Sequence, residues 1–155
     1  MANNIYSHEY WMQQAIIQAQ IALSEDEVPV GAIIVKENQI IGTGYNQVIG
    51  KNDPSAHAEI QAIRDAGKTV QNYRLINAQL YVTLEPCMMC VGAMVHARIE
   101  QIFFAAFDQK TGMAETVDNC FHKSYHNHQV KIQGGILAQE CADLLKLFFK
   151  KKRRK

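Results

Sequence analysis

Cys87 and Cys90 stand directly behind Leu84-Glu85-Pro86, two thiols whose spacing is that of a metal-binding pair. If Pro86 sits in a first helical turn, where its missing N–H costs nothing, both sulfurs share one face near a helix N-terminus. The unpaired N–H groups and the positive dipole end there favour the thiolate, the form that binds metal. The spacing alone also fits a redox pair, or two buried cysteines without chemical importance. Further ligands lie upstream in Ser55-Ala56-His57-Ala58-Glu59-Ile60. His57, Cys87 and Cys90 make three N/S ligands, and three protein ligands with one open position is the pattern of a catalytic zinc ion. Glu59 would point away from His57 in mid-helix. In the first turn of a helix aimed end-on at the metal both converge, His57 as ligand and Glu59 beside the open position, where a proton shuttle belongs.

The elements that must hold these residues are legible from periodicity. Ser7, with Glu9 just behind it, can cap a helix whose apolar positions Trp11, Ala15, Ala19 and Ala22 recur at helical spacing and which ends before Pro29. Val30–Val35 and Ile40–Tyr45 read as a hairpin joined by Lys36-Glu37-Asn38-Gln39 and closed by Asn46. Asn52-Asp53-Pro54-Ser55 turns into the His57 helix, which Gly67 is expected to terminate. Leu80–Leu84 is a buried strand, residues 87–97 an apolar helix, and Ile99–Ala106 a second strand, parallel to the first through a right-handed crossover. Gln129–Ile132 is a short last strand. Ile136–Phe149 is a closing helix with Leu137, Cys141, Leu144 and Phe148 on one stripe. The Cys87–Ala97 helix is apolar on two faces, Val91, Met94 and Val95 on one, Met89 and Ala93 on another. That pattern fits packing on the sheet on one side and on a second subunit on the other, or an internal helix in a monomer.

At 155 residues and 48% hydrophobic, the chain is expected to be one domain over residues 1–155 with enough core to fold alone. Four cysteines without a signal peptide or a long apolar run indicate a reducing, cytoplasmic setting with no membrane, and Cys120 and Cys141 read as ordinary core thiols. The formal net charge of +1 conceals a segregation. Residues 146–155 carry seven Lys/Arg and no acid, against nine basic and fifteen acidic residues elsewhere, so the body is −6 and the tail +7. Such a tail suits a polyanionic partner, or is a solvated end.

His57-Ala58-Glu59 followed by Pro86-Cys87-Met88-Met89-Cys90 resembles the signature of the zinc nucleobase deaminases. With Asp53-Pro54-Ser55-Ala56, Asn72-Tyr73-Arg74-Leu75, Tyr81-Val82-Thr83-Leu84 and Asp108-Gln109-Lys110-Thr111-Gly112, the resemblance extends over nearly the whole chain. It is to the bacterial tRNA-specific adenosine deaminases of the cytidine/deoxycytidylate deaminase superfamily. It implies an α/β fold of three layers, α/β/α and cytidine-deaminase-like, around a five-stranded mixed sheet. It implies one Zn²⁺ per subunit and a homodimer whose partner subunit helps form each active site. The substrate implied is the wobble adenosine of a tRNA anticodon stem-loop, converted to inosine. By the same resemblance Asn46 contacts ribose or base, Val28, Pro29 and Ala58 shape the walls, and Asp108 and Lys110 lie near the flanking nucleotides, Asp108 being otherwise a plain turn residue before Gly112. Phe149 is placed to stack a splayed base, or is simply a core residue of its helix.

Zinc chemistry suits this reading. The ion makes water nucleophilic near neutral pH, but two thiolates neutralise its charge, so the water needs a base beside it, and Glu59 is that base. The segment Phe121-His122-Lys123-Ser124-Tyr125-His126-Asn127-His128 departs from the family by lacking a proline after its first histidine. Its His122, His126 and His128 read as hydrogen-bonding or solvated histidines, with a second metal site as the alternative. Phe107 stands where some relatives carry a basic residue. Two rival functions share much of this pattern: a deaminase of free bases or nucleosides, against which the tail and Asp108–Gly112 argue, and a non-catalytic zinc-bearing RNA-binding subunit, which would have no use for Glu59.

Overall fold

The computed structural model describes residues 5–153. Helix α1 (His8–Ser24) starts where the Ser7 hydroxyl accepts the N–H of Tyr10 at 3.0 Å. Its inward face, Trp11, Met12, Ala15, Ile16, Ala19 and Ala22, has the expected helical spacing. Strands β1 (Gly31–Lys36) and β2 (Gln39–Tyr45) form the hairpin. Its turn is only two residues long, because Glu37 (φ 53°) and Asn38 (φ 60°) both adopt the left-handed region that a tight hairpin connection requires. Strand β3 (Gln79–Leu84), helix α3 (Met88–His96) and strand β4 (Gln101–Ala106) follow as a parallel strand–helix–strand unit.

The sheet has five strands in the order β2-β1-β3-β4-β5, β5 being Lys131–Gly134. β1 is antiparallel to β2 and β3, whereas β3, β4 and β5 are parallel, so the sheet is mixed. Side chains alternate across it. Ile33, Val35, Tyr81, Phe103 and Ala105 pack on one face with Trp11, Ile16 and Cys141, from α1 and the closing helix α4 (Ala138–Arg153). Ala32, Ile34, Leu80, Val82, Ile102 and Phe104 pack on the other with α2 (Ala58–Val70) and α3. The result is the three-layer α/β/α arrangement of the cytidine-deaminase-like fold. Helix α2 lies unusually close to β2. A Cβ added to Gly44 would stand 2.4 Å from both the Ala58 carbonyl and the Ala62 nitrogen, so only glycine under an alanine face permits the approach that fixes the start of α2.

Several boundaries differ from the sequence expectation. Gly67 does not end α2; the helix continues to Val70, and Gln71 takes the left-handed position (φ 55°) and donates back to the Gly67 carbonyl. Pro86 is not in the first turn of α3, because Cys87 is the extended residue that caps it. The last strand is shifted to 131–134 by its register, Gln101 against Lys131 through Phe104 against Gly134. Leu137 is left-handed (φ 57°), which delays α4 to Ala138, and the helix then runs through Lys150–Arg153, whose cations suit a helix C-terminus. Much of the basic tail is therefore helical; Arg154 and Lys155 lie outside the described residues. Cys141 is a core thiol as expected, but Cys120 is half-buried. Among the described residues no helix is long and apolar enough to cross a membrane.

Candidate active site

Two helix N-termini meet at one point. His57 caps α2 and Cys87 caps α3, both with extended backbones and neither making a side-chain capping bond, while Cys90 lies in the first turn of α3. The His57 Nδ1 stands 3.6 Å from Cys87 Sγ and 3.6 Å from Cys90 Sγ, and the three ligand atoms lie within 4.8 Å of one another. Because the side chain of His57 is turned to the sulfurs, the α2 N-terminus is capped from elsewhere: Asn46 Oδ1 accepts the Ala58 N–H at 2.8 Å. Asn46 is itself tied to the residue before β1, its N–H donating to the Val30 carbonyl.

The electrostatics of the group favour a cation. The Cys87 thiol is lowered to about 4, chiefly by the hydrogen bond from Cys90 and then by His57. The Cys90 thiol is driven up by that same bond, by burial and by the charge of Glu59. The His57 imidazole is raised by its bond to Cys87. One thiolate thus forms readily and the second only against it, so both ionise together only with a positive charge between them. Glu59, in the first turn of α2, is 4% exposed, and desolvation pushes its carboxyl up to about 7, with the Cys87 charge adding to the rise. His57, Cys87, Cys90 and Glu59 are therefore brought together, as the sequence reading required.

The other residues singled out from sequence lie in two places, the core beside this centre and the 108–116 loop with α4. Pro29 and Ala58 are buried and Val28 half-buried, Val28 packing on the core cluster that holds Ala58 and Cys90. Asp108 spends its carboxylate on its own loop: Oδ1 accepts the N–H groups of Lys110 and Thr111, and Oδ2 the Thr111 hydroxyl. Phe149 is 46% exposed, and it lines a cavity of about 510 Å³ with Lys110, Leu145, Lys146, Lys152 and Arg153. The histidine segment forms no ligand cluster among the described residues. His126 Nε2 bonds the Cys120 carbonyl at 2.6 Å, His128 Nε2 the Ile99 carbonyl at 2.8 Å, and His122 Nδ1 pairs with the Asn119 amide at 2.9 Å.

Two buried carboxylates escaped the sequence reading. Glu27, 3% exposed, accepts from Ile49 and Gly50 at 3.0 and 2.7 Å and shapes the loop that leads from Asn46 to His57. Glu85, also 3% exposed, gathers the 108–116 loop. The one local signal was an acid beside apolar residues and a proline, Glu27-Val28-Pro29 and Leu84-Glu85-Pro86, at the end of an element.

A model of the MafB19-like deaminase family matches residues 6–153. The tRNA-specific adenosine deaminase of Haemophilus influenzae is 46% identical over 146 residues, covering 94% of this chain and 84% of that one. The chain belongs to the tRNA-specific adenosine deaminase family. A solved structure from work on A-to-I editing by tRNA:A34 deaminases at the wobble position of transfer RNA superposes on this deaminase with a TM-score of 0.84. The two are 37% identical, over 87% of this chain and 98% of the other. A guanine deaminase from Bacillus subtilis superposes with a TM-score of 0.65 at 32% identity, over 97% of this chain and 96% of the other. The deaminase is an enzyme of that class.

Proposed function

We propose that this deaminase is a zinc-dependent hydrolase that converts adenosine to inosine at the wobble position of a tRNA anticodon loop. The observation that carries the proposal is the pair of equal 3.6 Å separations from His57 Nδ1 to the two sulfurs, with a buried carboxyl beside them. A tetrahedral zinc ion, at about 2.3 Å from sulfur and about 2.0 Å from nitrogen, spans an N···S distance of about 3.6 Å. A single imidazole proton cannot serve two sulfurs equally well, whereas an ion at the apex can. His57, Cys87 and Cys90 are thus the residues that would hold the zinc, and when bound it supplies the Lewis acidity that makes water a nucleophile near neutral pH.

The chain's own residues do the rest. Glu59 takes one proton of the attacking water and hands it to adenine N1 as C6 is attacked, then takes the remaining proton from the new C6 hydroxyl and passes it to the departing amine, so that adenosine and water become inosine and ammonia. Its burial keeps it from bulk water and aims its proton at the base. Asn46, its Oδ1 committed to Ala58, keeps its amide N–H₂ for the ribose or base, and Val28, Pro29 and Ala58 wall the pocket. An anticodon loop is single-stranded already, so extruding its adenosine costs less than from a duplex. Asp108 and Lys110 meet the flanking nucleotides, Phe149 offers a stacking face, and the cations of α4 meet phosphates. A homodimer is supported by the outer side of α3, where Met88 and Met89 are 64% and 40% exposed and a Cβ on Gly92 would meet nothing within 4 Å. The reading is of one deaminase domain in the cytoplasm.

The test is to incubate the zinc-loaded protein with a tRNA anticodon hairpin and, separately, with adenosine, cytidine and guanine, and to measure inosine, uridine and xanthine. Inosine from the hairpin alone supports the proposal. Turnover of a free base or nucleoside with no inosine in the hairpin would overturn it in favour of the guanine-deaminase-like alternative.

A further inference from the structure

Glu85 occupies the position between β3 and the metal helix, two residues before Cys87, and its carboxylate touches none of the four residues of the reactive centre in the bonds it makes. Its Oε1 accepts the Asp108 N–H at 3.1 Å and the Thr116 hydroxyl. Its Oε2 accepts the N–H groups of Ala114, Glu115 and Thr116 at 3.1, 2.8 and 2.9 Å. Two main-chain bonds reinforce the connection, Glu85 N to the Ala106 carbonyl at 2.9 Å and Met113 N to the Pro86 carbonyl at 3.0 Å. Five donors crowd the roughly four lone-pair sites of one carboxylate and leave no room for another partner. They come from both ends of a segment that has no strand or helix of its own, so a single side chain closes the loop. Gly112 sits directly beneath the carboxylate, where a Cβ would come within 2.4 Å of Oε1.

The tip of this loop is stiffened separately by the Asp108 carboxylate. What the closed loop presents is Lys110, on the wall of the cavity that also contains Phe149 and the α4 cations. The placement of Lys110 relative to the reacting base is therefore set through a rigid connection of few residues: Cys87, Pro86, Glu85, then the loop.

The geometry points to Glu85 as a positioning residue for substrate. It holds the 108–116 loop at a fixed distance from the metal helix, so that Lys110 meets the phosphate of a nucleotide flanking the extruded base. The inference rests on the RNA-deaminase reading above and adds to it a specific division of labour. Glu85 acts through Lys110, and its loss should weaken RNA binding while sparing the chemical step.

The experiment is a double-mutant cycle on the zinc-loaded full chain, with Glu85→Gln, Lys110→Ala and the pair, scored by kcat and KM on an anticodon hairpin, by metal content and by salt dependence. A glutamine offers an N–H₂ where the loop offers N–H groups, so the loop loses its anchor without a change of volume. Glu85→Gln should keep the metal stoichiometry and hold kcat within about threefold while KM rises about tenfold, the size of one lost charged contact. The slope of log KM against log salt should fall by about 0.7, one phosphate on a single strand. Adding Lys110→Ala to Glu85→Gln should produce no further rise in KM, because the two act on one contact. Thr116→Val, which removes one of the five donors, serves if Glu85→Gln does not fold, and should show a smaller KM rise with the same non-additivity. Multiplying KM effects in the cycle, or a lowered melting temperature with kcat, KM and salt slope unchanged, would overturn the inference and leave Glu85 a purely structural anchor. Absence of inosine with the unsubstituted protein, by contrast, counts against the RNA-deaminase reading.

Discussion

The side-chain oxygen of Asn46 accepts the Ala58 N–H at 2.8 Å, so a residue at the end of β2 caps the helix whose own cap, His57, faces the sulfurs of Cys87 and Cys90. On the proposed function the same side chain has a second, separable task, a contact with the substrate. Asn46→Asp keeps the capping oxygen and loses the amide donors, so it should melt close to the unsubstituted protein while kcat/KM on the hairpin falls about tenfold for one lost hydrogen bond. Asn46→Ala loses both, with a further cost of about 1 kcal/mol in stability. Thermal melts and steady-state rates on the two variants check this, and equal stability of both would show that the cap contributes nothing.

Glu59→Gln is expected to retain zinc and fold while deamination falls by about 10²–10⁴, because in the proposed mechanism the residue moves protons without binding metal. Cys87→Ser should lose both metal and activity. Elemental analysis beside an inosine assay separates the two, and near-normal turnover by the glutamine variant would refute the assigned role.

The exposed side of α3 predicts self-association. Met89, 40% exposed next to Met88, should lie in a subunit interface, so Met89→Glu should shift a dimer towards monomer by at least tenfold in dissociation constant. Sedimentation at micromolar concentration decides the matter; an unsubstituted protein that is monomeric there has no such interface.

Because α4 runs through Arg153, truncating after Phe149 would remove the last helical turn, and Lys152 with it, whose ammonium lies 5.4 Å from the Phe148 ring centre. Replacing Lys150, Lys152 and Arg153 by Gln tests the charge alone. If about three cations meet phosphates of a single strand, the slope of log affinity against log salt should flatten by about 2, with saturated kcat unchanged. An unaltered slope would mean that the tail is solvated only.

On the far face of the sheet, the Tyr81 hydroxyl pairs with His8 Nδ1 at 2.8 Å, and burial raises the phenol above its usual 10. A phenol raised on folding stabilises the fold fully below its unfolded value of about 10, and that contribution is lost as pH rises through the folded value. Tyr81→Phe should therefore flatten the alkaline limb of stability above pH 10 while costing about 1 kcal/mol at pH 7 for the lost bond. Denaturant unfolding from pH 7 to 11 measures both effects.

What the sequence by itself determined was local: ligand types, their spacing within each motif, and the elements that carry them. His57 with Glu59, and Cys87 with Cys90, are each set by one turn of chain, the apolar β-branched run marks β1, and the stripe in α1 follows from a period of 3.6. The clustered cations of the tail were equally plain. Tertiary structure decided how those pieces meet. The convergence of two helix caps on one point depends on α2 lying against glycines of β2, a contact between elements that no residue window contains. The start of β5 at Lys131 follows from pairing with Gln101, thirty residues away in the chain, and Gly67 proved an interior helix residue because Gln71 took the left-handed position four residues later. Glu27 and Glu85 left only a faint local signal, an acid near a proline, for the same reason. A carboxylate's partners here are backbone amides of distant loops, and amides carry no sequence signature, so only the fold could show which loops these two acids hold.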